Sequence, residues 1–242
     1  MSKKQPAEST KKKNIKPINL NEPWYTKYAL PLLALLVLLV YARSLSLSYT
    51  YLDDTVFILD KGPENEHFSY IFKAFFEGTF MPKDIYYRPL FRMTFVLERQ
   101  FLFLFPQENF YTNAMRLAHL VEIILHITSV TLLFKVLQNF SFSKTASFMW
   151  AAVYAVHPVL TMAVAWIPGR NDIMLSIFLF SYFLHFLKYL ETGNRKNLIW
   201  LSLFLLFALL TKETAVFIPI ATFLYLIIFK RKDLFRKSLL IV

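Results

Sequence analysis

Hydrophobic residues in this chain come in long runs rather than in alternation. Six apolar runs stand out, at 28–47, 117–137, 145–156, 173–190, 198–210 and 215–229. The longer runs meet the roughly 20 residues that an α-helix needs to cross a bilayer. The runs at 145–156 and 198–210 are short, and the first of these can draw length from 159–167. The pattern predicts an all-α polytopic membrane protein with about six transmembrane helices.

The stretch 48–116 reads differently. Phe68, Ile71, Phe72, Phe75 and Phe76 recur at helical spacing and predict one apolar helix face, with Lys73 and Glu77 away from it. A second helix is expected to begin at Pro89. Its mixture of Arg92 and Arg99 with Phe91, Phe95, Phe101 and Phe103 suits a helix lying in the membrane interface. The alternative is that 90–105 inserts as a seventh span.

These elements divide the chain into a basic cytoplasmic tail (1–27), a first transmembrane helix (28–47), a large outer loop with interfacial helices (48–116) and five further transmembrane helices (117–229). A basic segment (230–242) leads towards a further apolar run, and a longer protein is expected. Lys and Arg counts orient them. If the N-terminus is cytoplasmic, the inner connections hold most of the cations, among them seven Lys in 1–27 and five Lys or Arg in 230–237, whereas the short outer connections hold only Arg170 and Lys212. That asymmetry favours six spans with both termini inside.

Composition narrows the chemistry. The chain is 56% hydrophobic and 18% aromatic with a mean hydropathy of +0.43, values that exclude an ordinary soluble domain. A formal charge of +11 is spread along the membrane flanks instead of forming a basic stripe, so no nucleic-acid partner is expected. With no Cys, thiolate catalysis and Cys-ligated metal sites are excluded. Four Gly argue against a glycine-rich phosphate loop.

In this topology the outer side collects Asp53, Asp54, Tyr86, Tyr87, Arg88, His157, Arg170, Asn171, Asp172, Lys212 and Glu213. Charge bordering an apolar run is costly unless it is paired or lines a polar cavity. Ordinary helix-end charge explains any one of these residues as well, but the repeated pairing of acid with base explains the set better. His119, Glu122 and His126 share a face of the second span. Two His and a carboxylate can bind a metal, and bundle-facing hydrogen bonds are the other reading. A membrane-level mouth with carboxylates and cations suits a polyprenyl-phosphate sugar. Asp53 or Asp54 would accept a proton from an acceptor hydroxyl, and Arg88, Arg170 and Lys212 would hold the leaving phosphate.

Several of these residues fall into motifs. Leu52-Asp-Asp54, Tyr87-Arg-Pro-Leu90, a His119 to His126 segment, Val156-His-Pro158 running on to Gly169-Arg170, and Lys212-Glu213 occur in this order. Together they resemble the GT-C superfamily of membrane glycosyltransferases, most closely the transmembrane and tetratricopeptide-repeat-containing O-mannosyltransferases and their bacterial relatives. The resemblance runs from about 51 to 219. It implies an inverting glycosyltransferase that moves a sugar, expected to be mannose, from a polyprenyl-phosphate donor to an acceptor hydroxyl of a protein or glycan on the non-cytoplasmic face. It maps the catalytic acid of the first outer loop onto Asp53 and Asp54, and assigns substrate binding to Tyr87, Arg88, His157, Arg170, Asp172, Lys212 and Glu213. A divalent cation is a possible cofactor. The implied location is a bacterial inner membrane with the site facing the periplasm, or the endoplasmic reticulum in a eukaryote.

The chain departs from the family pattern in two places. After His157-Pro158 the family often has x-His-Thr-Glu, whereas this chain has Val159-Leu-Thr-Met162, and Glu122 stands where Asn is more usual. The first change moves the second-loop carboxylate role to Asp172 or Glu213. Two other functions stay open at this stage: a lipid-linked saccharide transporter and a non-enzymatic assembly subunit of the membrane.

Overall fold

The computed structural model describes residues 23–50, 52–80, 85–106 and 108–229. Most of the expected basic tail and all of the segment 230–242 lie outside these residues; Trp24–Lys27 forms a single helical turn. The principal helices are α1 (Ala29–Tyr41), α2 (Pro89–Leu102), α3 (Phe110–Asn139), α4 (Lys144–Val156), α5 (Thr161–Ala165), α6 (Arg170–Thr192), α7 (Arg195–Leu209) and α8 (Phe217–Phe229). No strand occurs among the described residues. The protein is an all-α membrane protein.

Each of the six apolar runs is helical. By length and apolarity, three helices can cross a membrane: Ala29–Ser46, Phe110–Asn139 and Ile167–Thr192. Lys144–Val156 and Pro158–Ala165 form a pair bent by 48°, a fourth span if counted as one. The bend falls at Pro158, which lacks an N–H and holds His157 in extended backbone (ψ 126°). At 15 and 13 residues, α7 and α8 are shorter than a span, and they account for the gap between this count and the expected six.

Packing follows from the spacing of small and branched side chains. On α1, Ala29, Leu33, Val37 and Tyr41 recur every four residues and are buried, whereas Leu35, Leu38, Leu39 and Val40 face outward. This stripe meets Ile123, Val130 and Phe134 of α3 and Ala151 and Ala155 of α4. A second core joins Tyr182 and Phe186 of α6 to Leu201 and Ala208 of α7 and to Ile218 and Leu226 at α8. Outward Leu and Val contribute no hydrophobic drive in lipid, so close packing along these stripes holds the bundle.

The stretch between α1 and α3 is built on a third core, in which Phe57 stacks on Phe95 and meets Phe91 edge-on, with Ala118 and Ile167 beneath. The predicted start of α2 at Pro89 matches the structure. Its Arg92 is buried, donating to Glu64 at 3.1 Å and to the Thr79 carbonyl at 3.1 Å, which draws the preceding loop down onto α2. The helix expected around Phe68–Phe76 is a correction. Only Tyr70–Lys73 is helical, and although Ile71 is buried, Phe72 and Phe76 are 65% and 87% exposed. Four residues are too few to present the five-residue face that the spacing suggested.

Candidate active site

The two acids that follow α1 end in different surroundings. Thr55–Asp60 winds as a π-helical turn, and Asp54 lies at its start with its side chain 1% exposed. Its Oδ2 accepts from the Thr50 N–H at 2.9 Å and from the Thr50 hydroxyl at 2.7 Å. Asp53 is half-buried, has no hydrogen-bond or ion-pair partner among the described residues, and lines a cavity of about 160 Å³.

The cavity wall brings together five segments from four separate regions of the sequence. Asp53 comes from just before the π-helical turn and Phe57 from within it, Arg88 and Phe91 from the start of α2, Trp166, Pro168 and Gly169 from the segment after α5, Asn171 and Asp172 from the first turn of α6, and Lys212 from the break before α8. Lys212 has extended backbone (φ −157°, ψ 141°), so its side chain and that of Glu213 diverge. Lys212 pairs with Asp172, and Glu213 receives a two-pronged hydrogen bond from Arg88 at 3.0 and 2.9 Å. A bidentate guanidinium–carboxylate contact fixes orientation as well as charge. The Leu90 N–H donates to the Leu210 carbonyl at 3.2 Å beside it, a second tie between the same two segments. Both cations at the cavity therefore carry a carboxylate neighbour.

Two further polar groups on this wall lack partners among the described residues. The indole Nε1 of Trp166 and Oδ1 of Asn171 are buried without a hydrogen bond, although Nδ2 of Asn171 donates to the Pro168 carbonyl at 2.7 Å. A buried polar atom left unpaired is costly, and a ligand or water is the usual way of satisfying it. The segment that holds them depends on Gly169. A Cβ there would meet the Met162 carbonyl oxygen at 2.3 Å and the Ala163 Cα at 2.9 Å, so only glycine lets this turn lie against α5.

Arg170, expected at the substrate, does not line the cavity. It is fully buried between Glu122 of α3, where its Nε donates at 2.7 Å, and Glu98 of α2, which it meets at 2.6 Å. Its Nη1 also donates to the Thr94 hydroxyl at 2.8 Å, and the guanidinium covers the Phe95 ring at 4.7 Å. This group joins α2, α3 and α6, with Arg170 set between the wall residues Gly169 and Asn171 in the chain. Burial raises the Glu98 carboxyl above its ordinary range, even against the pull of Arg170.

The remaining expected residues are dispersed. The Tyr87 hydroxyl donates to the Phe75 carbonyl at 3.1 Å and shapes the loop above α2. His157 is exposed, accepts from the Val159 N–H through Nδ1 at 3.2 Å, and lines a separate apolar recess with Trp150 and Leu160. His119, Glu122 and His126 are all buried towards the bundle, as their shared face predicts. His126 bonds the Ala155 carbonyl at 3.0 Å, and the His119 ring has no hydrogen-bond partner on either nitrogen among the described residues. Among the described residues, no three His, Asp or Glu side chains converge closely enough to hold a metal ion.

Sequence reasoning missed Trp166 and Glu98. Glu98 had a readable signal, since Phe91, Phe95, Glu98 and Leu102 form one stripe with a single carboxylate in it. Trp166 had none, because a lone Trp beside an apolar run reads as membrane belt.

Comparison with known proteins identifies the family. Residues 110–242 match the family model described as dolichyl-phosphate-mannose-protein mannosyltransferase. The human protein O-mannosyl-transferase TMTC1 is 33% identical over 141 residues, covering 54% of this chain and 15% of that protein. The mouse TMTC1 is 29% identical over 196 residues, covering 74% of this chain and 20% of that protein, and mouse protein O-mannosyl-transferase TMTC3 is 29% identical over 188 residues, covering 73% and 19%. The chain thus corresponds to a fifth or less of the length of these relatives. No solved structure matches it. With more than half of the chain inside the family match, it belongs to the dolichyl-phosphate-mannose-protein mannosyltransferases, membrane proteins of the GT-C glycosyltransferase superfamily.

Proposed function

We propose that this chain forms the reaction end of an inverting mannosyltransferase that uses a polyprenyl-phosphate mannose and glycosylates a hydroxyl on a protein or glycan. The observation that carries the reading is Asp53, an unpartnered carboxylate facing a cavity that also presents Arg88 and Lys212. A base needs a free carboxylate within reach of the acceptor, and a departing phosphate needs cations.

In the proposed step, Asp53 takes the proton of the acceptor hydroxyl as its oxygen attacks the anomeric carbon. The bond from that carbon to the phosphate oxygen breaks, and its electron pair leaves with the polyprenyl phosphate. Arg88 and Lys212 face the charge that this oxygen develops. Attack opposite the leaving group inverts the anomeric centre. Trp166 Nε1 and Asn171 Oδ1 offer a donor and an acceptor to the sugar hydroxyls. The excess of Lys and Arg in the other connections supports a site on the non-cytoplasmic face, periplasmic in a bacterium or lumenal in the endoplasmic reticulum.

The test is transfer from a labelled polyprenyl-phosphate mannose in membranes that contain the complete protein, with and without a chelator of divalent cations. Native activity that disappears in Asp53→Asn at equal expression supports the proposal. No transfer from this or other lipid-phosphate sugars would instead leave saccharide transport or membrane assembly as the function.

A further inference from the structure

A groove of about 710 Å³ lies at the opposite end of α2 from the active-site cavity, between the end of the α1 span, the C-terminal turn of α2 and the first turns of α3. Its walls are apolar, with Leu45, Phe101, Phe105 and Leu120 among them. Two ionisable side chains line it, Arg116 and Glu108, and neither carries an ion pair or side-chain hydrogen bond among the described residues. Arg116 and Leu120 are exposed.

The depth of this groove in the membrane follows from helix length. With 30 residues, α3 is about 45 Å long, against roughly 30 Å of hydrocarbon. Its apolar run begins at Leu117, so Arg116 stands at the hydrocarbon boundary and the turn before it reaches among the headgroups. Leu45 and Leu120 lie deeper, where acyl chains begin. Glu108 is set on a fixed corner. Asn109 takes a left-handed conformation (φ 57°) to turn the chain into α3, and Asn113 Nδ2 donates to the Glu108 carbonyl at 3.2 Å.

We infer that this groove is a headgroup-selective binding site for a zwitterionic glycerophospholipid with a primary ammonium, phosphatidylethanolamine. The occupant is fixed by charge complementarity. A phosphate diester meets Arg116, an ammonium meets the Glu108 carboxylate, and an acyl chain runs along Leu45 and Leu120. An anionic lipid without an amine satisfies Arg116 but brings no cation to Glu108. A quaternary ammonium lacks the N–H donors that a carboxylate accepts. The inference is independent of the transferase reading, because it concerns the opposite end of α2 and its test does not measure transfer.

The test is native mass spectrometry of the complete protein in mild detergent, with phosphatidylethanolamine and phosphatidylglycerol of identical acyl chains added at equal concentration. The native protein retains phosphatidylethanolamine in preference by about tenfold, the size of one charge-assisted hydrogen bond. Glu108→Gln removes the preference and leaves phosphatidylglycerol retention unchanged or higher. Arg116→Ala lowers retention of both lipids, and Leu120→Trp, which fills the groove from an exposed position, lowers both as well. Soluble glycerophosphoethanolamine does not compete, since the chains hold the lipid in place. Equal retention of the two lipids by the native protein overturns the inference. So does indifference to both charge substitutions, or absence of any retained lipid, the result expected if a later helix of the complete protein fills the groove.

Discussion

Asp53 and Asp54 are neighbours in the chain and opposites in the fold: Asp54 accepts two hydrogen bonds from Thr50 beneath the loop, while Asp53 faces the cavity without a partner. Their substitutions should therefore separate. Asp53→Asn is expected to leave the melting temperature near native and to reduce transfer by about 10²–10⁴-fold, the usual share of a general base. Asp54→Asn keeps one acceptor for Thr50 but gives up the charge, and is expected to cost about 1–3 kcal/mol of stability. Thermal unfolding in detergent and transfer assays on the same preparations check both.

Arg170 is enclosed by two carboxylates, and removing it leaves both buried without a counter-charge. Arg170→Ala is expected to destabilise by about 3–5 kcal/mol. Glu98→Gln should be tolerated far better, because Glu122 still neutralises the guanidinium.

The same residue sets a pH dependence. The Glu98 carboxyl is raised above its ordinary value of 4.5 by burial, so the folded protein binds its proton more tightly than the unfolded chain does. Stability from this group is complete below the ordinary value and falls as pH rises through the raised folded one. Glu98→Gln should flatten that slope in unfolding measured across the window.

Lys212 and Asp172 should not be equivalent at the reaction. Lys212→Ala is expected to lower kcat/KM by roughly 10–100-fold, about 1.4–2.8 kcal/mol of lost charge stabilisation. Asp172→Asn leaves the ammonium in place and should lower it much less. Steady-state transfer with varied donor decides the point.

Gly169→Ala tests the turn beside Trp166. The new Cβ would overlap the backbone of Met162 and Ala163, so the turn must shift and carry Trp166 with it. The expected result is a loss of about 1–3 kcal/mol, the usual cost of overpacking, with altered Trp fluorescence and reduced transfer.

Much of this was legible in the chain. Apolar runs gave the helices, Pro89 gave the start of α2, motif order gave Asp53, Arg88 and Lys212, and the charge collected on the outer side gave Asp172; all four share the cavity. The choice between Asp53 and Asp54 was not legible. Adjacent residues on a helix point about 100° apart, and the phase is set by the π-helical turn at Thr55–Asp60, which has no signature in the sequence. Arg170 misled for a related reason. A cation bordering an apolar run looks like a surface charge until Glu98 and Glu122 arrive from two other helices. His157 shares a motif with Gly169 and Arg170, yet the bend at Pro158 leaves it in a different recess.

The clasp between 88–90 and 210–213 also orders events during synthesis. Arg88 is translated 125 residues before Glu213, and the wall containing Asp53 exists well before Lys212 can close it. Until then the loop has an unpaired guanidinium and an open side, and the cavity is completed only when the segment after α7 reaches the same end of the bundle. A nascent chain arrested before Thr211 would have every loop residue of the site and no site.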